Sequence, residues 1–309
     1  MTSFPTIFST DSAKAAKASG YGYLNAIHYM APAASAGVGN LCPNASPECI
    51  ALCLGTYSGQ AAMVADLENG TNAVRESRKR KARLFMTDRA AYMNEIARQI
   101  ARVIDKAKRD GLTPCIRLNG STDISWERIR FDLDQKTRKA LAKLYREQGW
   151  HWPDQLRIGG PAMTLLQLFP NVQFVDYTKN AKRLGNAPAN LDLTLSYSAR
   201  NSAECVAALL SGHNVAMVFH GGLPESFGGF PVIDGDTHDL RHLDPKGGFI
   251  VGLTPKGNKA KRDTSGFCVA WKEASGRQLA ATWHGLRAMQ SRPESRAAME
   301  SGRLVLVAA

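Results

Sequence analysis

Three cysteines lie within twelve residues, Cys42, Cys49 and Cys53, spaced C-x6-C-x3-C. Thiolates bind soft metals and iron–sulfur clusters, and a short loop can bring three of them to one point. A closed structural zinc site takes four ligands, one more than this loop supplies. Three thiolates suit a four-iron cluster that leaves one iron open to a substrate or cosubstrate. The competing readings are small buried thiols, and a disulfide that would strand the third cysteine. Met1 to Thr6 carries no basic segment followed by an apolar run. The chain therefore reads as cytoplasmic, and a reducing compartment favours metal over disulfides. Cys115, Cys205 and Cys268 stand singly in apolar stretches and read as buried thiols. One of them, or His28, is a possible fourth ligand.

Polar groups recur where short apolar runs end. Arg117, Asn119, Ser121 and Asp123 follow one such run; Asp176-Tyr177-Thr178-Lys179 close the next. Ser196 and Ser198 follow a third, His220 a fourth, Asp234-Gly235-Asp236 a fifth and Lys256 a sixth. Each residue has a plain alternative: Asp123 as a helix cap, Lys179 as a solvated lysine, His220 as a core histidine, Asp234 to Asp236 as a turn. It is their recurrence at run ends that points to chemistry.

The elements that must position these groups follow from hydrophobic periodicity. Strands are expected over 21–30, 113–120, 172–176, 191–197, 214–219, 232–233 and 248–253. Helical patterns span 71–109, 134–148, 161–168 and 203–211. Short strands alternating with helices predict an α/β fold with a mostly parallel sheet, open or closed into a barrel, whose chemistry sits at the carboxyl ends of the strands. Residues 1–20 read as a loose lead-in to a single α/β domain over 21–309. A C-terminal extension begins near 270 and ends in a strand over 304–307.

With 309 residues, 44% hydrophobic and 21% charged, the chain is an ordinary globular protein, and no apolar run is long enough for a membrane span. The net charge of +12 favours an anionic partner, nucleic acid first, or marks a generically basic protein. The densest positive run is Arg75 to Arg83, where Arg75, Lys79 and Arg83 share a face at helical spacing and could track phosphates.

The chain resembles a phage- and plasmid-borne family, the gene product 88 domain, from about Tyr21 to Val269. The resemblance is carried by Cys42-Pro43-Asn44-Ala45-Ser46 with Cys49 and Cys53-Leu54-Gly55, by Arg117 to Glu127, and by Asp176 to Lys179 with Arg183. Leu195 to Ser198, Asp234 to Asp236 with Asp239 and Arg241, and Gly252-Leu253 complete it. The cysteine loop is also similar to that of phage relatives of radical S-adenosylmethionine enzymes, with Ser46-Pro47 ahead of the middle cysteine. That resemblance implies a β/α barrel, at least a partial one, in which Cys42, Cys49 and Cys53 hold a [4Fe-4S] cluster whose open iron binds S-adenosylmethionine. It places Asn119 and Ser121 near the cosubstrate amino group and Ser196 and Ser198 near its ribose. The usual spacing there is C-x3-C-x2-C, and Asn119-Gly120-Ser121 stands in place of a Gly-Gly-Glu run.

Three functions stay open. One is a radical-type iron–sulfur enzyme acting on a nucleic acid or nucleotide-derived substrate, with Asp123, Lys179 and Asp236 positioning groups or moving protons. Another is a DNA- or RNA-binding protein whose metal loop only staples the fold. The third is a divalent-metal hydrolase or nuclease using Asp123, Asp176, Asp234 and Asp236.

Overall fold

The computed structural model describes residues 4–11, 13–152, 156 and 160–292. Its strands, in chain order, are β1 (Phe8–Ser9), β2 (Tyr23–His28), β3 (Thr113–Arg117), β4 (Gln173–Thr178) and β5 (Leu191–Ser196). Then come β6 (Val215–Phe219), β7 (Ser226–Phe227), β8 (Phe230–Asp234), β9 (Ile250–Leu253) and β10 (Cys268–Val269). They form one sheet in the order β1-β2-β3-β4-β5-β6-β9-β8-β7, with β10 also on β6. Every neighbouring pair from β2 to β8 is parallel; antiparallel β1 and β7 make the two edges. β5 pairs with β6 at Val215 and Ala216, and β10 takes over at Val218 and Phe219, so the sheet splays towards its carboxyl ends.

Side chains alternate across each strand. Leu24, Ile116, Phe174, Leu195 and Met217 face the main core beneath the helices, whereas Cys115 and Val175 join Leu240 and Ala18 in a small cluster on the other face. Covering the main core are α4 (Ala73–Thr87), α5 (Arg89–Arg109), α6 (Gln135–Gln148) and α8 (Ser202–Leu210). The single helical pattern expected over 71–109 is broken at Asp88, whose carboxylate accepts the Ala91 N–H at 3.2 Å and starts a second helix.

The parallel sheet is the expected one, but it does not close: among the described residues no ladder joins β7 or β8 to β1 or β2. After β8 the chain turns inward instead. His238 packs edge-on against Tyr21 at 4.8 Å and His242 against Tyr23 at 4.9 Å, while Leu240 packs on the inner face. The lead-in is likewise not loose. β1 pairs with β2, the Ile7 N–H donates to Gln99 Oε1 at 2.7 Å, and helix α1 (Ala13–Ser19) buries Ala18 completely. Elements this short leave almost no periodic signal.

Beyond residue 270 the chain forms α10 (Ala274–Gln290). Its Trp283 is fully buried, with ring centroids 5.6 Å from Phe227 and 5.9 Å from Tyr197. A Cβ at Gly228 would stand 2.5 Å from that of Trp283, so only glycine fits there. Trp283→Ala is expected to cost about 3–5 kcal/mol in a urea unfolding titration; a loss below ~1 kcal/mol would mean that α10 is only an appendage. The strand expected over 304–307 lies outside the described residues.

Candidate active-site cavity

A cavity of about 330 Å³ opens at the carboxyl ends of the parallel strands, on the inner face. One wall is the cysteine loop that follows β2. Here Ser46 caps α2 (Pro47–Ala51): its Oγ accepts the Cys49 N–H at 3.1 Å and donates to the Ser198 carbonyl at 2.8 Å, tying the loop to the segment after β5. Pro47 in the first turn presets the helical φ. The next turn, α3 (Leu54–Tyr57), is held by Arg78, whose guanidinium donates to the Gly55 carbonyl at 2.5 Å. A Cβ on Gly55 would lie 2.6 Å from that of Ser121, so glycine lets the loop close onto the turn after β3.

Cys42, Cys49 and Cys53 all line this cavity. Cys42 Sγ accepts the Ala33 N–H at 3.3 Å and stands 3.8 Å from the Ser121 carbonyl oxygen. Burial pushes the Cys42 thiol up to about 11 and raises Cys53 as well, with the neighbouring thiols adding to both. Burial pulls the Lys179 ammonium down, but the pull of Cys49 and Asp123 outweighs that and holds it above its ordinary range. Lys179 is thus a standing cation beside the thiols, poorly suited to accept a proton. Among the described residues no three His, Cys, Asp or Glu side chains converge on a point that could hold one metal ion.

The turn after β3 and the end of β4 form a second constellation. Asp123 accepts Thr178 Oγ1 at 2.8 Å, the Lys179 N–H at 2.9 Å and Arg183 at 3.1 Å. Arg183 also holds Glu127 through two bonds of 2.9 Å and lies 4.0 Å from Asp176. Asn119 donates to Asp176 and the Ile124 carbonyl, and accepts from Thr122, Trp126 and the Ile124 N–H. Its amide is thereby fully used, and Asp123 is ion-paired. Both residues border the cavity as parts of its frame.

Other expected residues divide. Ser121 and Ser196 line the cavity, with Ser121 Oγ donating to the Met30 carbonyl at 2.6 Å. Ser198 is buried beside it, and its backbone rather than its hydroxyl serves the site. Asp236 lines the far wall; burial pushes its carboxyl up, but hydrogen bonds from Thr254 and Lys256 outweigh this and hold it below its ordinary range. Asp234 is exposed and accepts the Asp236 N–H. The four aspartates weighed as a hard-cation set do not gather: Asp123 and Asp176 belong to Arg183, and Asp236 to Lys256.

His28 is not near the thiols. It faces the core, with Nε2 2.9 Å from Tyr92 Oη and its ring 5.6 Å from Trp126. Cys115 and Cys205 are core residues, whereas Cys268 reaches the cavity because β10 lies on the splayed end of β6. Sequence reasoning missed Lys17, whose Nζ donates to the Asp236 carbonyl at 2.6 Å, and the aromatic faces of Tyr197 and Phe267. A helix of seven residues contacting a turn more than two hundred positions away leaves no signal in the chain order.

The basic run does not form the shared face expected of it. Arg75 is 8% exposed and donates to the carbonyls of Ala61, Gly70, Thr56 and Leu67 at 2.6–3.1 Å, stapling the preceding loop. Lys81 is buried too; Lys79 pairs with Glu76 at 3.1 Å, and Arg83 is exposed. Arg75→Ala should therefore cost about 2 kcal/mol or more of stability, since several carbonyls lose their donor, whereas Arg83→Ala should stay within ~1 kcal/mol. Equal effects in parallel denaturation curves would contradict the staple. No described helix is long and apolar enough to cross a membrane.

No curated protein matches the chain. A family model, Gene product 88, matches residues 6–270, which span β1 through β10 and so the whole cavity. The cysteine loop, the Asn119 turn and the Arg183 cluster are thus parts of one matched domain, and the chain belongs to the gene product 88 family.

Proposed function

We propose that the chain is an iron–sulfur enzyme of a phage or mobile element, in which Cys42, Cys49 and Cys53 hold a four-iron cluster at the cavity wall. The observation that carries this reading is how the thiols are placed. Cys42, Cys49 and Cys53 line one cavity at the carboxyl ends of the parallel strands. A closed structural zinc site would need a fourth ligand. A four-iron cluster would take the three thiolates and leave one iron for another ligand.

When bound, such a cluster supplies one electron to a cosubstrate at its open iron. S-adenosylmethionine is the cosubstrate that the loop's likeness to radical-type enzymes suggests, with a partial β/α barrel around it. The open parallel sheet, with the cysteine loop after its first parallel strand, is in keeping with that likeness. Lys179 offsets the negative charge of the thiolates. Ser121 and Ser196 offer polar groups on the cavity surface. The turn that carries His238 and the aromatic faces of Tyr197 and Phe267 narrow the cavity against water.

Anaerobic purification with iron, sulfide and zinc analysis and an absorption spectrum tests this. About four irons and four sulfides per chain are expected, followed by cleavage of S-adenosylmethionine under reduction. One zinc without sulfide would sink the reading. A cluster that cleaves no cosubstrate would leave the metal and remove the radical chemistry.

A further inference from the structure

We infer that the connection between β9 and β10 is a contact for single-stranded nucleic acid, holding the phosphodiester backbone outside the cavity while one base enters it. The inner side of this connection lines the cavity through Thr254, Lys256, Ala260 and Phe267. Its outer side carries helix α9 (Gly257–Lys261) and then Arg262, with four cations between residues 256 and 262. The helix is seated on the end of the cysteine loop. Gly257 has φ +82°, and a Cβ there would stand 2.3 Å from the Tyr57 carbonyl oxygen, so only glycine allows the approach. Lys259 lies over the Tyr57 ring, 3.8 Å from its centroid, and pairs with Glu68. Beyond α9, the Asp263 carboxylate accepts the Ser265 and Cys268 N–H groups at 2.9 and 2.8 Å, and that turn carries Phe267 to the cavity.

Two of the four cations are committed within the protein, Lys256 to Asp236 and Lys259 to Glu68. Lys261 and Arg262 are exposed, and among the described residues neither side chain has an ion pair. Lys182, in the turn Ala181–Asn186 after β4, is exposed and equally uncommitted. β4 and β9 belong to the same parallel set, so both connections leave at the cavity end of the sheet. Cations left free at that rim suit a chain of phosphates, whose attraction does not depend on sequence. The rings behind them favour a nucleic acid over an acidic peptide. Tyr197 and Phe267 line a cavity of about 330 Å³, which suits a single nucleotide and is far too small for a duplex. Lys179 lies over the Phe267 ring, 5.9 Å from its centroid, at the same mouth.

This inference rests on the reading of the cavity as the reacting site, but not on the cluster. Fluorescence anisotropy of the full chain over a series of salt concentrations, with iron content measured in parallel, separates the two. The probes are labelled oligothymidylate, oligouridylate and a DNA duplex of the same length. Single strands are expected to bind whatever the iron content, and the tighter of the two identifies DNA or RNA as the partner. Lys261→Ala combined with Arg262→Ala should weaken single-strand binding about tenfold and lower the slope of log K against log salt by about 1.4, for two lost phosphate contacts. Both side chains are exposed, so this variant keeps its fold. Lys79→Ala combined with Arg83→Ala removes the same charge from α4 and should change neither quantity. Phe267→Ala should weaken binding about fivefold with the salt slope unchanged, because it removes stacking and no charge. A duplex bound as tightly as the single strands, equal losses in the rim and α4 variants, or unchanged affinity in Phe267→Ala overturns the inference. So does the absence of single-strand binding by the wild type at low salt.

Discussion

Replacing Arg183 with alanine is expected to destabilise the protein by about 3–5 kcal/mol, the cost of breaking a buried pair from one side. Arg183 is 1% exposed and serves three carboxylates, Asp123, Glu127 and Asp176. Burial lowers its guanidinium, but hydrogen bonding to Glu127 and attraction to Asp176 outweigh this and raise it. Without it, Asp123 and Glu127 are stranded as buried charges. Asp176 is the most distant of the three, and burial pushes it up to about 7 against the pull of Arg183, Arg117 and Asn119. The attraction that raises Arg183 and the burial that raises Asp176 therefore oppose one another, and at Asp176 burial wins because the nearer carboxylates take the guanidinium first.

The sign of the pH effect follows. The folded state holds the Asp176 proton more tightly than the unfolded state does, whose ordinary carboxylate titrates near ~4. Its contribution is complete below about 4 and is lost as pH rises through about 7. His28, His213, His238 and His242 are lowered by burial and act in the opposite sense over the same range, so the readout is the comparison with Asp176→Asn: urea titrations at pH 5 and 7.5 should show the stability of Asp176→Asn relative to the wild type rising at the higher pH. Asp244, raised to about 6 by burial, acts in the same sense as Asp176. A stability of Arg183→Ala within ~1 kcal/mol of the wild type would show that the cluster is dispensable.

Cys49→Ala is expected to abolish bound iron and sulfide while leaving the fold in place. Cys49 supplies a thiol but not the frame of its loop. Ser46 still caps α2 and bonds the Ser198 carbonyl, and Arg78 still holds Gly55. Each iron of a cluster depends on its own thiolate, so losing one of three ligands should take the content from about four irons per chain to below ~1. Any cosubstrate cleavage should fall to background with it. Circular dichroism and the urea midpoint provide the control: they should move little, because Cys49 is only half-buried. Iron retained at the wild-type level in Cys49→Ala would remove this cysteine from the ligand set. A variant that loses its fold together with its iron would make the metal a staple and favour a binding protein.

The long strands and helices were legible because their burial is periodic. β2, β3, β5, β6 and β9 fall within the expected runs and β4 and β8 overrun theirs, while α5 and α6 fall within the helical patterns and α8 begins one residue early. The two-residue strands and α1 were not, since two to seven residues cannot show a period. The three cysteines, the Asn119 turn and the polar groups of β4 were visible as types and spacings, and they do meet at one cavity. What their side chains do there was invisible. Asn119 and Asp123 carry the chemistry expected of ligand-binding groups, yet their bonds are spent on Asp176, Trp126, Thr178 and Arg183.

By itself, then, the sequence determined the α/β class, the mostly parallel sheet and the loop of three thiols after the first parallel strand. Those properties depend on hydrophobic period and short-range spacing, which are written along the chain. The tertiary structure alone decided that the sheet stays open with the 235–244 turn folded into it. It alone buried Arg75 as a staple and set Arg117 over the Tyr177 ring at the cavity wall. A guanidinium has the same formula in both places. Whether it meets backbone carbonyls or an aromatic ring beside a cavity is set by residues distant in sequence, and that is settled only when the chain packs.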